Sequence, residues 1–204
     1  GTTSMDALTS GYSNVALGTD TLGAVNTGFY NVAIGASALA AATTTCNSIA
    51  IGFAALGAAT TTGSNNVALG TTSMCALTSG ACNVAIGKDA LRDSPSGCFN
   101  VAIGKSAMQS AATGINNVAI GQSALGTATS GNNNTSVGNA ALFNSCAASH
   151  CNVGVGAGAG YNVTTGDDNV LIGANAGCNP EVNTTTQSGV IALGHNGSSV
   201  FYAT

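Results

Sequence analysis

Cys146, His150 and Cys151 lie close together in the sequence, and thiolates with an imidazole are the donors that zinc prefers. A closed zinc site needs four ligands at paired spacing, and the other histidine, His195, is remote in sequence. A turn histidine beside small apolar cysteines is the plainer reading. Asp167 and Asp168, with nearby carbonyls, supply the hard oxygens that calcium takes, although two adjacent turn acids are ordinarily solvated. Gly154-Val-Gly156-Ala-Gly158-Ala-Gly160 contains a fragment of a dinucleotide fingerprint, without the helix or the acidic partner that phosphate and ribose binding require. Two histidines make no credible Ser/His/acid triad, and no two carboxylates are spaced for acid–base work. The expectation is a non-enzyme with no catalytic residue, cofactor or metal.

Other side chains are suited to contact rather than reaction. Tyr12, Phe29, Tyr30 and Phe99 fall at turn positions and are candidate receptor contacts. Such rings stack on sugars, though shielding the turn from solvent is their commoner role. Lys88, Arg92 and Lys105 are all the bases of the chain, and with Asp89 and Asp93 they form one local belt. That belt reads as a solvated face or inter-chain pairing, otherwise as a receptor contact. The 7 cysteines occupy differing positions, and only Cys82 and Cys98 nearly match on adjacent turns. They read as small buried hydrophobes, with one or two bridges as the alternative.

What positions these groups is a repeat. The phrase Asn–apolar–small–apolar–Gly closes at Gly18, Gly35, Gly52, Gly70, Gly87, Gly104, Gly121, Gly138, Gly156 and Gly173, at intervals of 17 or 18 residues, and again at Gly194. So short a unit cannot bury a core alone and must stack on its neighbours. The expected architecture is an all-β parallel solenoid of about eleven rungs. The repeat domain spans 1–177, and 178–204 hold a terminal rung and a cap or the start of a further module. Charged residues are only 5% and net charge is -4, which leaves no basic footprint for nucleic acid or anionic lipid. No apolar run is long enough to predict membrane insertion.

Within each phrase, Val118 and Ile120, like Val101 and Ile103, are expected to face the coil interior together with Leu125 from the following segment. The middle slot is a column of small residues: Ala16, Ala33, Ala50, Ala68, Ala85, Ala102 and Ala119. A water-facing strand surface would carry Thr, Lys or Glu, so this column is read as the contact with another copy of the chain, with a tight coil interior on both sides as the plainer alternative, and Leu171 as a place where that contact widens. The Gly-Xaa-Xaa-Ala-Leu segment is expected as a second strand or extended corner. Gly80, Gly97 and Gly114 are expected to supply positive φ in the outer turn. The Asn column is expected to bond to itself up the stack.

The phrase Asn-Val-Ala-Ile-Gly resembles the head repeat of trimeric autotransporter adhesins of the YadA type, whose repeats are shorter. The longer form, as in Asn100-Val-Ala-Ile-Gly-Lys-Ser-Ala-Met108, is similar to repeats of viral and phage tail fibres. The resemblance implies a left-handed β-roll, a homotrimer around one axis, and a place on a virion fibre or a bacterial cell surface. The implied function is structural support of, or contribution to, host attachment, with a surface receptor or glycan as partner. An alternative from another class is a monomeric ice-binding solenoid using Thr43-Thr44-Thr45 and Thr60-Thr61-Thr62, although threonine does not recur in one column.

Overall fold

A computed structural model describes residues 1–57, 61–127, 130–145, 149–178, 186–195 and 198–203, the last stretch as backbone. Three-residue strands recur at β1 (Val15–Leu17), β2 (Val32–Ile34), β3 (Ile49–Ile51), β4 (Val67–Leu69), β5 (Val84–Ile86), β6 (Val101–Ile103), β7 (Val118–Ile120), β8 (Thr135–Val137), β9 (Val153–Val155) and β10 (Val170–Ile172). β11 (Ile191–His195) and β12 (Ser198–Ala203) follow, and all pair in chain order in one 12-stranded sheet. The chain is a parallel β-solenoid, and no helix occurs among the described residues.

Each residue pairs with its counterpart one repeat on: Val101 with Val118, Ala102 with Ala119, Ile103 with Ile120. The two 18-residue intervals keep the same register, pairing Ile49 with Val67 and Thr135 with Val153. β10 and β11 remain parallel across the longest interval, whereas β12 runs antiparallel to β11 with a register shift between Leu193 and Gly194.

The orientation of the strands is the reverse of the sequence expectation. Ala33, Ala50, Ala68, Ala85, Ala102 and Ala119 are fully buried inside a single coil, with Ala16 packed against them at the first rung. Val101, Ile103, Val118 and Ile120 face outward, and only Leu125 of the expected core set lies inside. The reason is the width of the coil. A Cβ on Gly154 in the β9 middle slot would sit 2.7 Å from Leu142 Cγ, so the strand and the leucine column meet directly across the interior. With a leucine reaching in from one side, the other side has room for alanine.

The segment carrying those leucines is not a strand. It is a run of turns in which alternate residues take left-handed backbone, as at Ser106 (φ 56°) and Met108 (φ 48°). Left-handed φ at an ordinary residue costs about 1–2 kcal/mol, which burying a Leu or Met side chain, at about 1.5–3 kcal/mol, offsets. The turns still bond from rung to rung, Met108 N–H donating to Ala124 O at 2.9 Å and Leu125 N–H to Ala141 O at 3.0 Å.

Glycine has two uses. At Gly121 the backbone takes φ 133° and a Cβ would lie 2.4 Å from the Gly138 carbonyl, so conformation and space both demand glycine. The outer-turn glycines lack the positive φ expected of them. The residue two positions on takes it instead, as at Cys82 (φ 58°) and Phe99 (φ 57°). A Cβ on Gly80 would meet Gly97 O at 2.3 Å, so this column is glycine because adjacent rungs approach closely.

The asparagine column does form a ladder. Asn117 Nδ2 donates to Asn100 Oδ1 at 3.1 Å and to Gly131 O at 2.8 Å. Its Oδ1 accepts the backbone N–H of Asn134 at 2.9 Å and the Asn134 amide at 3.2 Å. Ser48 replaces one member, taking Asn31 Oδ1 through its N–H at 3.0 Å and accepting the Asn66 N–H on its hydroxyl at 3.2 Å. The ladder reaches the Val190 N–H, which donates to Asn169 Oδ1 at 2.8 Å.

Candidate functional site

Because alanine points in, the flanking positions of every strand point out. Two apolar columns therefore run the length of the sheet: Val84, Val101 and Val118 in one, Ile86, Ile103 and Ile120 in the other, with Val, Ile, Leu or Thr at equivalent places from β1 to β11. Ile49, Ile51, Ile86, Ile120, Val155 and Ile172 are exposed in the single chain. No charged residue interrupts either column. A continuous apolar strip of this kind on a protein surface marks an interaction site. The alanine column predicted to meet another copy does not reach the surface, and Leu171, predicted to widen that contact, is fully buried. The strip was missed because alternation separates two faces without saying which is inside. A usable signal was present: Leu appears in the middle slot in the rung where Gly160 and Gly177 replace the leucines of the opposite column.

The outer turn bears the remaining candidates. The position two before each member of the asparagine ladder, Ser48 included, holds Tyr12, Phe29, Cys46, Ser64, Ala81, Cys98, Ile115, Asn132, His150 and Asp167. Polar members accept a backbone N–H from the rung before: Cys98 Sγ from Ala81 at 3.3 Å, Asn132 Oδ1 from Ile115 at 2.8 Å, His150 Nδ1 from Asn132 at 3.1 Å and Asp167 Oδ1 from His150 at 2.6 Å. His150 and Asp167 are thereby engaged in the turn stack. Among the described residues no three His, Cys, Asp or Glu side chains are grouped to hold a metal ion. Cys146 lies outside the described residues.

The six described cysteines are free thiols and none is fully buried, contrary to the expectation of small core residues. Cys82 and Cys151 are exposed in the same turn position, immediately before Asn83 and Asn152. Burial raises the Cys75 thiol above its ordinary range, and the Asp93 carboxylate adds to this.

The charged belt is centred on Arg92, which pairs with Asp93 at 2.8 Å and Asp89 at 3.8 Å. The hydrogen bond that Arg92 donates to the Asp93 carboxylate raises the guanidinium further above its usual value. Asp89 also accepts the Thr72 hydroxyl at 2.6 Å. Lys88 and Lys105 stand exposed in adjacent rungs just beyond the apolar strip. Exposed pairs of this kind contribute about 0–1 kcal/mol, so the belt adds little to the fold.

Of the four aromatic residues singled out, the structure brings three together. Tyr12 and Phe29 stack with centroids 5.1 Å apart and planes 6° from parallel, and Tyr30 meets both edge-on at 5.5 and 5.4 Å. Phe99 stands apart on β6's rung, exposed. A second stacked pair, Phe143 and Tyr161 at 5.3 Å, was not anticipated. Comparisons with protein-family models, curated proteins and solved structures return no match to this chain.

Proposed function

We propose that this chain is a structural, non-enzymatic segment of a homotrimeric extracellular fibre of the viral or phage tail-fibre kind, supporting or contributing to attachment at a host surface. The observation that carries the reading is the strip of outward Val, Ile and Leu that runs from β1 to β11, with Thr135 its one polar member. Eleven rungs at about 4.8 Å make a strip ~50 Å long, and leaving it in water would forfeit about 25 cal/mol for each Å² of apolar surface. In this reading, three left-handed coils turn their strips toward a common axis. Val and Ile of each strip form the shared core, while Ala and Leu fill each separate coil. The outer turns, with Tyr12, Phe29, Tyr30 and Phe99, then face away from the axis.

The Asn-Val-Ala-Ile-Gly phrase equally supports a bacterial trimeric adhesin head, and the two readings share the same assembly. Ice binding has weaker support: Thr45 and Thr61 are buried, and their hydroxyls donate to Gly63 O at 2.6 Å and Leu77 O at 3.0 Å. Thr60 lies outside the described residues.

Native mass by light scattering tests the proposal. Three times 19.5 kDa under both reducing and oxidising conditions is expected. Ile86→Asp with Ile120→Asp should reduce it to one while leaving the β signal in circular dichroism. A monomeric native chain would overturn the trimer.

A further inference from the structure

The Tyr12–Phe29–Tyr30 cluster has no evident task in the fold. The chain has 4 Tyr, 5 Phe and no Trp, and three of these rings meet on two consecutive outer turns. They lie on the outer turns, and Tyr12 and Tyr30 are 53% and 54% exposed. Aromatic rings gathered on a surface with their hydroxyls in water suit a ligand that is apolar on one face and polar at its rim.

The surroundings define that ligand further. Tyr30 lies in a column between Ser13 and Asn47, both exposed, so a hydroxyl and an amide flank it, each about one rung (~4.8 Å) away. Segments 8–15, 25–32 and 42–49, which build the three outer turns here, contain no acid and no base. The only cations, Lys88, Arg92 and Lys105, belong to later rungs.

We infer that this cluster is a binding site for a neutral hexopyranose unit of a glycan, stacked on the exposed Tyr12 and Tyr30 rings, with Ser13 and Asn47 as hydrogen-bonding groups at its rim. A sugar's C–H face matches the ring, its hydroxyls match the flanking donors and acceptors, and the absence of a nearby cation disfavours sialylated or sulfated units. The inference rests on the attachment reading for its purpose, yet it requires only one coil, so a failure of the trimer leaves it standing.

The test is saturation-transfer NMR of the intact chain with maltohexaose, cellohexaose, chitohexaose and, as the anionic control, sialyllactose. Transfer to the ring protons of at least one neutral oligosaccharide is expected. Tyr12→Ala and Tyr30→Ala should each weaken it about tenfold, Tyr30→Phe less, and Phe99→Ala not at all. Circular dichroism and native mass on the same samples separate loss of the site from loss of the fold or of the assembly. Silence from all three neutral sugars, transfer confined to sialyllactose, or transfer that survives Tyr12→Ala/Tyr30→Ala would each overturn the inference.

Discussion

At β7 the strand puts Ala119 into the coil, and the turn segment opposite supplies Leu125. At β10 the strand puts Leu171 into the coil, and the corresponding turn positions are Gly160 and Gly177. A Cβ on Gly160 would stand 2.7 Å from Leu171 Cδ1 and 2.6 Å from Leu142 Cδ2. The two regions enclose a similar interior with the large and small side chains exchanged between walls. What the solenoid holds constant is a filled interior, rather than the residue at each slot: at β9, where strand and turn carry Gly154 and Gly160, Leu142 and Leu171 of the adjoining rungs reach in. The glycines at 160 and 177 therefore have a packing role. They make room for a leucine arriving from the other side.

The exchange can be broken by restoring one wall alone. Gly160→Leu meets no new backbone demand, because Gly160 already has φ 63° and Leu142 sits in the same slot at φ 47°. It collides with Leu171 and with Leu142, and the overpacking should cost about 3 kcal/mol or more in chemical denaturation. Leu171→Ala empties the same space and should cost about 3 kcal/mol. The double variant removes the Leu171 collision and should be less destabilised than the sum of the singles by at least about 1.5 kcal/mol, since contacting sites couple. Additive behaviour would mean that the two walls do not share one volume.

The asparagine ladder runs through both regions and sharpens the contrast between packing and polar support. Asn117→Ala leaves the Asn134 N–H and the Gly131 carbonyl without their side-chain partner, at a cost of about 2–3 kcal/mol. Asn117→Ser should recover part of this, because Ser48 already serves as a rung of that ladder.

Outward positions should behave differently from inward ones in the same strand. Ala119→Val should destabilise the coil by about 1–3 kcal/mol, whereas Ile120→Thr should change the stability of a single coil by about 0.5 kcal/mol or less. Urea denaturation at a concentration where only one chain is present separates the two.

The smallest effect concerns the thiols. Alkylation should reach exposed Cys82 and Cys151 before Cys75. The folded-state pKa of Cys75 is raised above the ordinary value of 9.0, so the unfolded chain releases that proton first. The contribution of Cys75 is thus neutral below about pH 9 and turns against the fold as pH rises further. Cys75→Ser should flatten that alkaline limb slightly.

The period, the strand positions, the register and the asparagine ladder were all legible in the sequence, because each is a consequence of spacing alone. Even the 18-residue intervals gave no trouble, since Ile49 and Val67 are identified by their phrase and not by counting. The inward face was not legible from any one rung. Val-Ala-Ile satisfies alternation with either face buried, and residue size alone points to the wrong one. The left-handed Leu and Met residues also escaped notice, because intrinsic preference opposes them and only tertiary burial offsets the cost. At the aromatic cluster, the residues were evident but their union was not. It depends on Tyr12 and Phe29 occupying one turn position and Tyr30 the next.

Most backbone bonds outside the strands link a residue to one about 17 positions away, as Met108 N–H does to Ala124 O. Tension applied along the axis would consequently load one rung at a time while the rest stayed intact. Each rung that peels away releases a loop that can extend ~3.4 Å per residue, close to 50 Å in total after subtracting its own height. A pulled molecule should therefore lengthen in equal steps. Such a thread lets out slack without parting, and each released turn can wind back onto the edge its neighbour keeps.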